Sequence, residues 1–74
     1  MRVNEATELA KKFVRDAFAN EPVNELNLEA FTFDDHLGIW TMTIGFLRAT
    51  AAEREFKIVG ISNIDKTMLS MRNR

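Results

Sequence analysis

One segment in the middle of the chain, from Ile39 to Arg48, has the clearest structural pattern in the sequence. Four large apolar residues recur there at every second position: Trp40, Met42, Ile44 and Phe46. Because successive side chains of a strand point to opposite faces, these four would lie together on one side of a β-strand. The other side carries smaller and more polar residues, two threonines and a glycine, between Ile39 and Leu47. The segment is therefore predicted to be a central strand with one heavily apolar face and one partly apolar face.

An amphipathic helix is predicted upstream of this strand, over residues 5–19. Apolar residues recur at helical spacing on one of its sides: Ala6, Leu9, Ala10, Phe13 and Ala17. Asn4 is predicted to cap the helix, because its side-chain oxygen can accept a free backbone N–H of the first turn. Pro22 cannot continue a helix and restricts the residue before it, so the helix should end shortly before that proline.

Three more strands are predicted, over residues 26–34, 55–62 and, as a short strand, 68–72. The first two have an ambiguous phase, since each carries two apolar pairs that point to opposite faces: Leu26/Leu28 against Phe31/Phe33, and Phe56/Ile58 against Val59/Ile61. Either a bulge near Glu29 and Ala30 shifts the register of the first of these strands, or both of its faces are buried. The predicted fold class is α+β, with one N-terminal amphipathic helix packed on a three- to four-stranded antiparallel β-meander.

Length and composition restrict how such a fold can be stabilised. The 74 residues are expected to form one domain, over residues 1–74. The chain has no cysteine and a single histidine, which excludes disulfides and a thiolate zinc site, and no cofactor is expected. No stretch approaches the roughly 20 apolar residues that span a bilayer. The first residues lead into a charged helix without a secretory apolar region, so a cytoplasmic location is expected.

The surplus of apolar residues predicts a contact surface. If the helix covers the Trp40 side of the sheet, the second face carries Ile39 and Leu47, with one apolar pair from each neighbouring strand. The predicted interface residues are Phe31, Phe33, Ile39, Leu47, Val59 and Ile61, with Leu26/Leu28 and Phe56/Ile58 as the alternative pairs. A contiguous exposed patch of this kind marks an interaction site. In the opposite interpretation, bulges rotate these pairs inward and leave threonines and charges on the second face.

The leading functional hypothesis is a non-catalytic protein–protein interaction or regulatory module, either homodimeric or bound to a larger protein. One alternative is a small metal-binding protein or enzyme that uses the turn Asp34-Asp35-His36, although three consecutive residues rarely converge on one ion. A second alternative is nucleic-acid binding through the helix residues Lys11, Lys12 and Arg15, but the net charge of −1 argues against it. No motif for an activated nucleophile or a phosphate-binding loop is present.

The run from Phe56 to Met71 resembles the C-terminal hairpin of PepSY-like domains. In that family a strand led by an aromatic residue ends in an Asp- and Thr-containing turn and returns as a short strand, as Phe56, Asp65 and Thr67 are arranged here. The helix that precedes a strand with a tryptophan, Trp40, is similar too. The resemblance implies a helix packed on an antiparallel sheet, and a role in binding or restraining another protein, often a peptidase.

Overall fold

The computed structural model describes residues 1–74 and confirms the predicted α+β fold. One helix packs on a four-stranded antiparallel sheet whose strands lie in chain order, β1-β2-β3-β4. The elements are α1 (Val3–Ala17), β1 (Val23–Asp34), β2 (Ile39–Arg48), β3 (Glu55–Ser62) and β4 (Met68–Asn73). No helix in the structure is long and apolar enough to cross a membrane.

The helix begins and ends earlier than the sequence pattern predicts. Its N-cap is Arg2, whose carbonyl accepts the Ala6 N–H at 3.0 Å, so Asn4 lies inside the first turn and the predicted cap is wrong. The helix begins at Val3 because the Val3 side chain packs against the core. The last helical residue is Ala17, and Phe18 leaves the helix to place its ring 5.3 Å from the ring of Phe46.

A bulge in β1 resolves the phase of that strand. Leu28 lies opposite Ile44, but Ala30 lies opposite Thr43, so one extra residue is inserted at Glu29. This is the predicted bulge, and it turns Phe31 to the same side of the sheet as Leu28. A second irregularity lies between Asn24 and Asn27, where Glu25 has a positive φ of 53°.

The core lies between α1 and one face of the sheet. The helix contributes small residues and the sheet contributes large ones: Ala6, Ala10 and Val14 from α1, and Trp40, Met42, Ile44, Phe46, Val59 and Ile61 from β2 and β3. Alanines at the contact allow the helix to approach the large side chains of β2 closely. Burying each of the larger aliphatic and phenylalanine side chains contributes about 1.5–3 kcal/mol, before the loss of chain entropy is counted.

Two contacts fix the direction of the helix across the sheet. The Lys66 ammonium lies 2.7 Å from the Glu5 carboxylate, which brings the start of α1 to the β3–β4 turn. At the other end of the helix, Phe18 packs near Phe46 close to the end of β2. The helix therefore runs along β2 and β3 and leaves the far end of β1 without a cover.

Candidate functional site

The second face of the sheet differs from the predicted interface. Val59 and Ile61 lie opposite Met42 and Trp40 and are fully buried under the helix, so their assignment to an interface is wrong. Strand alternation then turns Phe56 and Ile58, the alternative pair, to the second face. The physical reason is that Gly60 does not break the alternation of β3, so Val59 and Ile61 point to the same side of the sheet as Met42 and Trp40. That side is covered by the helix, and both residues are part of the core.

Phe31 and Phe33 also lie on the helix side of the sheet, not on the second face. The bulge at Glu29 places Phe31 opposite Met42 and Phe33 opposite Trp40. Unlike Val59 and Ile61, both phenylalanines are exposed, because they are on the edge strand that the helix leaves open. They therefore belong to a different surface from Ile39 and Leu47.

The second face itself is a mixture of apolar, small and charged side chains. Ile39 and Leu47 lie on it as predicted, together with Phe56 and Ile58, and all four are half-buried. The Arg74 guanidinium lies 3.8 Å above the centre of the Phe56 ring and covers it. None of these four apolar side chains is among the exposed large hydrophobics of the chain. The second face is therefore not a contiguous exposed apolar patch, although four apolar side chains lie on it.

The exposed apolar side chains are instead concentrated at one end of the molecule. Six large hydrophobic residues are exposed, from 41% for Phe33 to 85% for Ile64, and all lie at the end that carries the β1–β2 and β3–β4 turns: Phe31, Phe33, Leu37, Ile64, Met68 and Leu69. The two turns are joined by a backbone hydrogen bond from the Asn63 N–H to the Gly38 carbonyl, at 2.8 Å. We call these six residues the apolar end.

Trp40 organises the aromatic part of the apolar end. Its ring centre lies 4.7 Å from that of Phe33 and 6.2 Å from that of Phe31. Its indole N–H donates to the Asn63 side-chain oxygen at 2.9 Å, which holds the indole in one orientation. Trp40 is buried and its two aromatic neighbours are not, so Phe31 and Phe33 are presented to solvent on a rigid support.

A cross-strand row shows why the apolar end is exposed. Residues paired across the sheet follow one another as Phe33, Trp40, Ile61 and Met68. The inner two lie in the core under the helix, whereas the outer two are on the edge strands and are exposed. One helix is too narrow to cover all four strands, so the edges of an apolar row remain in water.

The turn residues Asp34, Asp35 and His36 do not form a metal site in this structure. One oxygen of the Asp34 carboxylate accepts the backbone N–H groups of His36 and Leu37, both at 3.0 Å. This is the local side-chain-to-backbone bonding that favours aspartate in turns. The structure contains no group of three His, Cys, Asp or Glu side chains placed to hold a metal ion.

Two of the three basic helix residues considered for nucleic-acid binding are paired within the helix. Lys11 lies 3.6 Å from Glu8, and Lys12 lies 3.2 Å from Asp16. Arg15 borders a shallow depression of about 390 Å³ formed with Phe18 and the loop before β1. The positive charge of this helix face is therefore largely compensated locally.

A charged cluster joins the loop before β1 to the loop after β2. Arg48 contacts the carboxylates of Glu21, at 3.4 Å, and Glu55, and its guanidinium lies 5.4 Å from the centre of the Phe18 ring. Glu21 also accepts hydrogen bonds from the hydroxyl and the N–H of Thr50. These Thr50 bonds, helped by Arg48, lower the pKa of Glu21, and the hydrogen bond to Glu55 raises the pKa of Arg48. Each charged group is satisfied by another, so the cluster is a structural clamp.

No protein family, curated protein or solved structure matches this chain.

The sequence pattern predicts part of the apolar end. Phe31 and Phe33 were among the predicted contact residues, although on the wrong face. Leu37, Ile64, Met68 and Leu69 were not, since each stands in or next to a turn and belongs to no long apolar pattern. The signal that could have found them is their occurrence at the same end of two neighbouring hairpins, which places both turns side by side in a meander.

Proposed function

We propose that this protein is a small, non-catalytic protein–protein interaction module whose contact surface is the apolar end. The observation that carries the proposal is the concentration of all six exposed large hydrophobic residues at one end of the sheet. Single exposed apolar side chains are ordinary on protein surfaces, but a cluster of them marks a contact site.

The chemistry of the apolar end suits a protein partner. Aromatic residues and methionine are enriched in the cores of protein–protein interfaces, and Phe31, Phe33 and Met68 supply both kinds. The hydrogen bond to Asn63 fixes the Trp40 indole, and the Phe33 ring packs against this indole. Little side-chain entropy is therefore lost when a partner covers the Phe33 ring.

The partner can be a second copy or another protein, and the PepSY-like resemblance favours a role in restraining a larger protein. A helix followed by an antiparallel meander is the arrangement that this resemblance implies. We place the protein in the cytoplasm as part of the same proposal, because a chain without cysteine does not depend on an oxidising compartment.

Site-specific photo-crosslinking in the cells that produce the protein tests the proposal. A photoreactive phenylalanine analogue at position 33 should give discrete crosslinked species, since the ring at that position would lie in the interface. The same analogue at Lys12, on the exposed side of α1, is the matched control and should give none. Equal crosslinking at the two positions, or none at position 33, would contradict the proposal.

A further inference from the structure

The two edge strands of the sheet carry opposite charge. β1 and β4 each have a strand neighbour on one side only, so both present a free row of backbone donors and acceptors. β1 contains Glu25, Glu29 and Asp34 and no basic residue, whereas from Thr67 to Arg74 the chain contains two arginines and no acid. Glu25, Glu29, Arg72 and Arg74 take part in no ion pair within the chain.

This charge distribution selects which edges can meet. Pairing β1 with β1 of a second copy would bring acidic strands together, and pairing β4 with β4 would bring basic strands together. Like charges opposite each other on neighbouring strands are destabilising, and opposite charges are favourable. A contact between β1 of one copy and β4 of another places opposite charges on the two paired edge strands.

The directions of the strands agree with such a contact. In a four-stranded meander β1 and β4 run in opposite directions, so a copy placed alongside continues the antiparallel alternation. Three consecutive rows cross the whole sheet without a shift, and they begin at Ala30, Phe31 and Thr32 and end at Arg72, Met71 and Ser70. If a second copy is placed beside the first with no shift along the strand direction, Phe31 of one copy lies opposite Met71 of the other, and Thr32 lies opposite Ser70.

The side chains that meet in this register are complementary. On the helix side, Phe31 would contact Met71, and the exposed Phe33 would lie beside the register shift of β4, near the exposed Met68 and Leu69. A thioether beside an aromatic ring is a favourable contact. On the second face, Arg72 lies opposite Ile58 within its own chain and would reach the bulge that carries Glu29 of the neighbour.

We infer that the apolar end takes a second copy of this chain, with β1 over Ala30–Asp34 pairing antiparallel to β4 of the neighbour. This inference rests on the proposed function and names its partner. The bulge at Glu29 limits the regular part of β1 to these few residues, so each contact is short. Because the two edges differ, the contact is heterologous and produces a ring or a filament instead of a two-fold dimer.

Disulfide trapping between single-cysteine variants tests the inference, and the absence of native cysteine makes the readout clean. Thr32→Cys and Ser70→Cys are prepared separately with tags of different mass and mixed in a glutathione redox buffer. Directly opposed residues of antiparallel strands lie about 4.5–5.5 Å apart between Cα atoms, which is within the range of a disulfide. The mixed 32–70 product should exceed that of a Lys12→Cys and Ser70→Cys mixture by about tenfold, because pairing raises the local thiol concentration.

Charge exchange supplies a second measurement on the same pair. Arg72→Glu in the Ser70→Cys chain should reduce the 32–70 product, and Glu29→Arg in the Thr32→Cys partner should restore it. Predominant 32–32 or 70–70 products, or a 32–70 yield equal to that of the Lys12 control, would overturn the inference. If the inference fails while the photoreactive residue at position 33 still crosslinks a different protein, the proposed function stands with another partner. If both experiments are negative, the proposed function fails as well.

Discussion

Arg2 is poorly suited to its position at the start of α1. It occupies the N-cap of α1 with extended backbone angles, φ −95° and ψ 163°, but it offers no side-chain acceptor to the free N–H groups of the first turn. Its positive charge also lies at the positive end of the helix dipole. The backbone is therefore ready for a capping side chain that the sequence does not provide.

Replacing Arg2 by aspartate should stabilise the protein. We expect Arg2→Asp to raise the free energy of unfolding by about 0.5–2 kcal/mol, because a carboxylate at the N-cap can accept a backbone N–H. Urea denaturation followed by circular dichroism measures the change. Arg2→Ala removes the positive charge without adding an acceptor, so a gain as large as that of Arg2→Asp would show that capping is not the cause.

At the scale of elements, the packing of α1 depends on small residues at the sheet contact. Ala6 and Ala10 are fully buried one turn apart, opposite the large side chains of β2 and β3. Ala17 belongs to the same predicted apolar stripe but is exposed, since the helix ends there. Position along the helix, and not only periodicity, thus determines which alanines are in the core.

Enlarging a contact alanine should separate the helix from the sheet. We expect Ala10→Leu to lower the free energy of unfolding by about 1–3 kcal/mol, because the close-packed core has no space for the added atoms. Ala17→Leu is the matched control at the exposed end and should change stability by less than about 0.5 kcal/mol. Similar losses for the two variants in thermal or urea unfolding would contradict this account of the interface.

The Glu21–Arg48 clamp makes stability depend on pH. Hydrogen bonds from Thr50, and the charge of Arg48, lower the pKa of Glu21 in the folded protein from its ordinary 4.5. A carboxylate with a lowered folded pKa contributes stability that is present above its unfolded pKa and is lost as the pH falls through the folded pKa. The clamp should therefore stabilise the protein at neutral pH and weaken below about pH 4.5.

Glu21→Gln should remove this pH-dependent contribution. We expect the variant to be less stable than the natural protein at pH 7, with a smaller further loss between pH 7 and pH 3. Urea denaturation at both pH values gives the comparison. Glu53→Gln is the matched control, because it removes an exposed carboxylate that has no ion-pair partner. This variant should lose as much stability between pH 7 and pH 3 as the natural protein. If Glu21→Gln shows the full acid sensitivity of the natural protein, Glu21 is not a source of it.

At the scale of the whole molecule, burial decreases from the central strands to the edges. The Phe33–Trp40–Ile61–Met68 row shows this within a single line of side chains, with Ile61 fully buried and Phe33 41% exposed. A chain of this size buries a smaller share of its surface than a large domain does, so apolar residues are left at the margins of its core. The apolar end is where these margins meet.

Two substitutions in that row should differ in how much stability they remove. Ile61→Ala should cost about 2–5 kcal/mol of unfolding free energy, as for other buried aliphatic residues. Phe33→Ala should cost about 1–2 kcal/mol, because much of its ring is already in water. Denaturation monitored by circular dichroism at low protein concentration measures both values. Equal losses would mean that the edge of the row is as buried as its centre.

The sequence predicts the fold class of this protein because the decisive patterns are local. Alternation from Ile39 to Arg48 and the helical stripe before it depend only on the geometry of one strand and one helix. The bulge at Glu29 and Ala30 could also be proposed from a break in the alternation, and the structure contains it. Choosing between a bulge and two buried faces required the neighbouring strand, since only a pairing partner defines a register.

The assignment of apolar pairs to the core or to the surface depends on the tertiary structure. Val59/Ile61 and Phe31/Phe33 are both apolar pairs two residues apart, yet the first pair is buried and the second is exposed. The difference arises from strand order and the path of the helix, which covers β3 and leaves the end of β1 open. The apolar end also depends on the tertiary structure. The β1–β2 and β3–β4 turns are distant in sequence and become neighbours only when the four strands pair, where the Asn63 N–H donates to the Gly38 carbonyl.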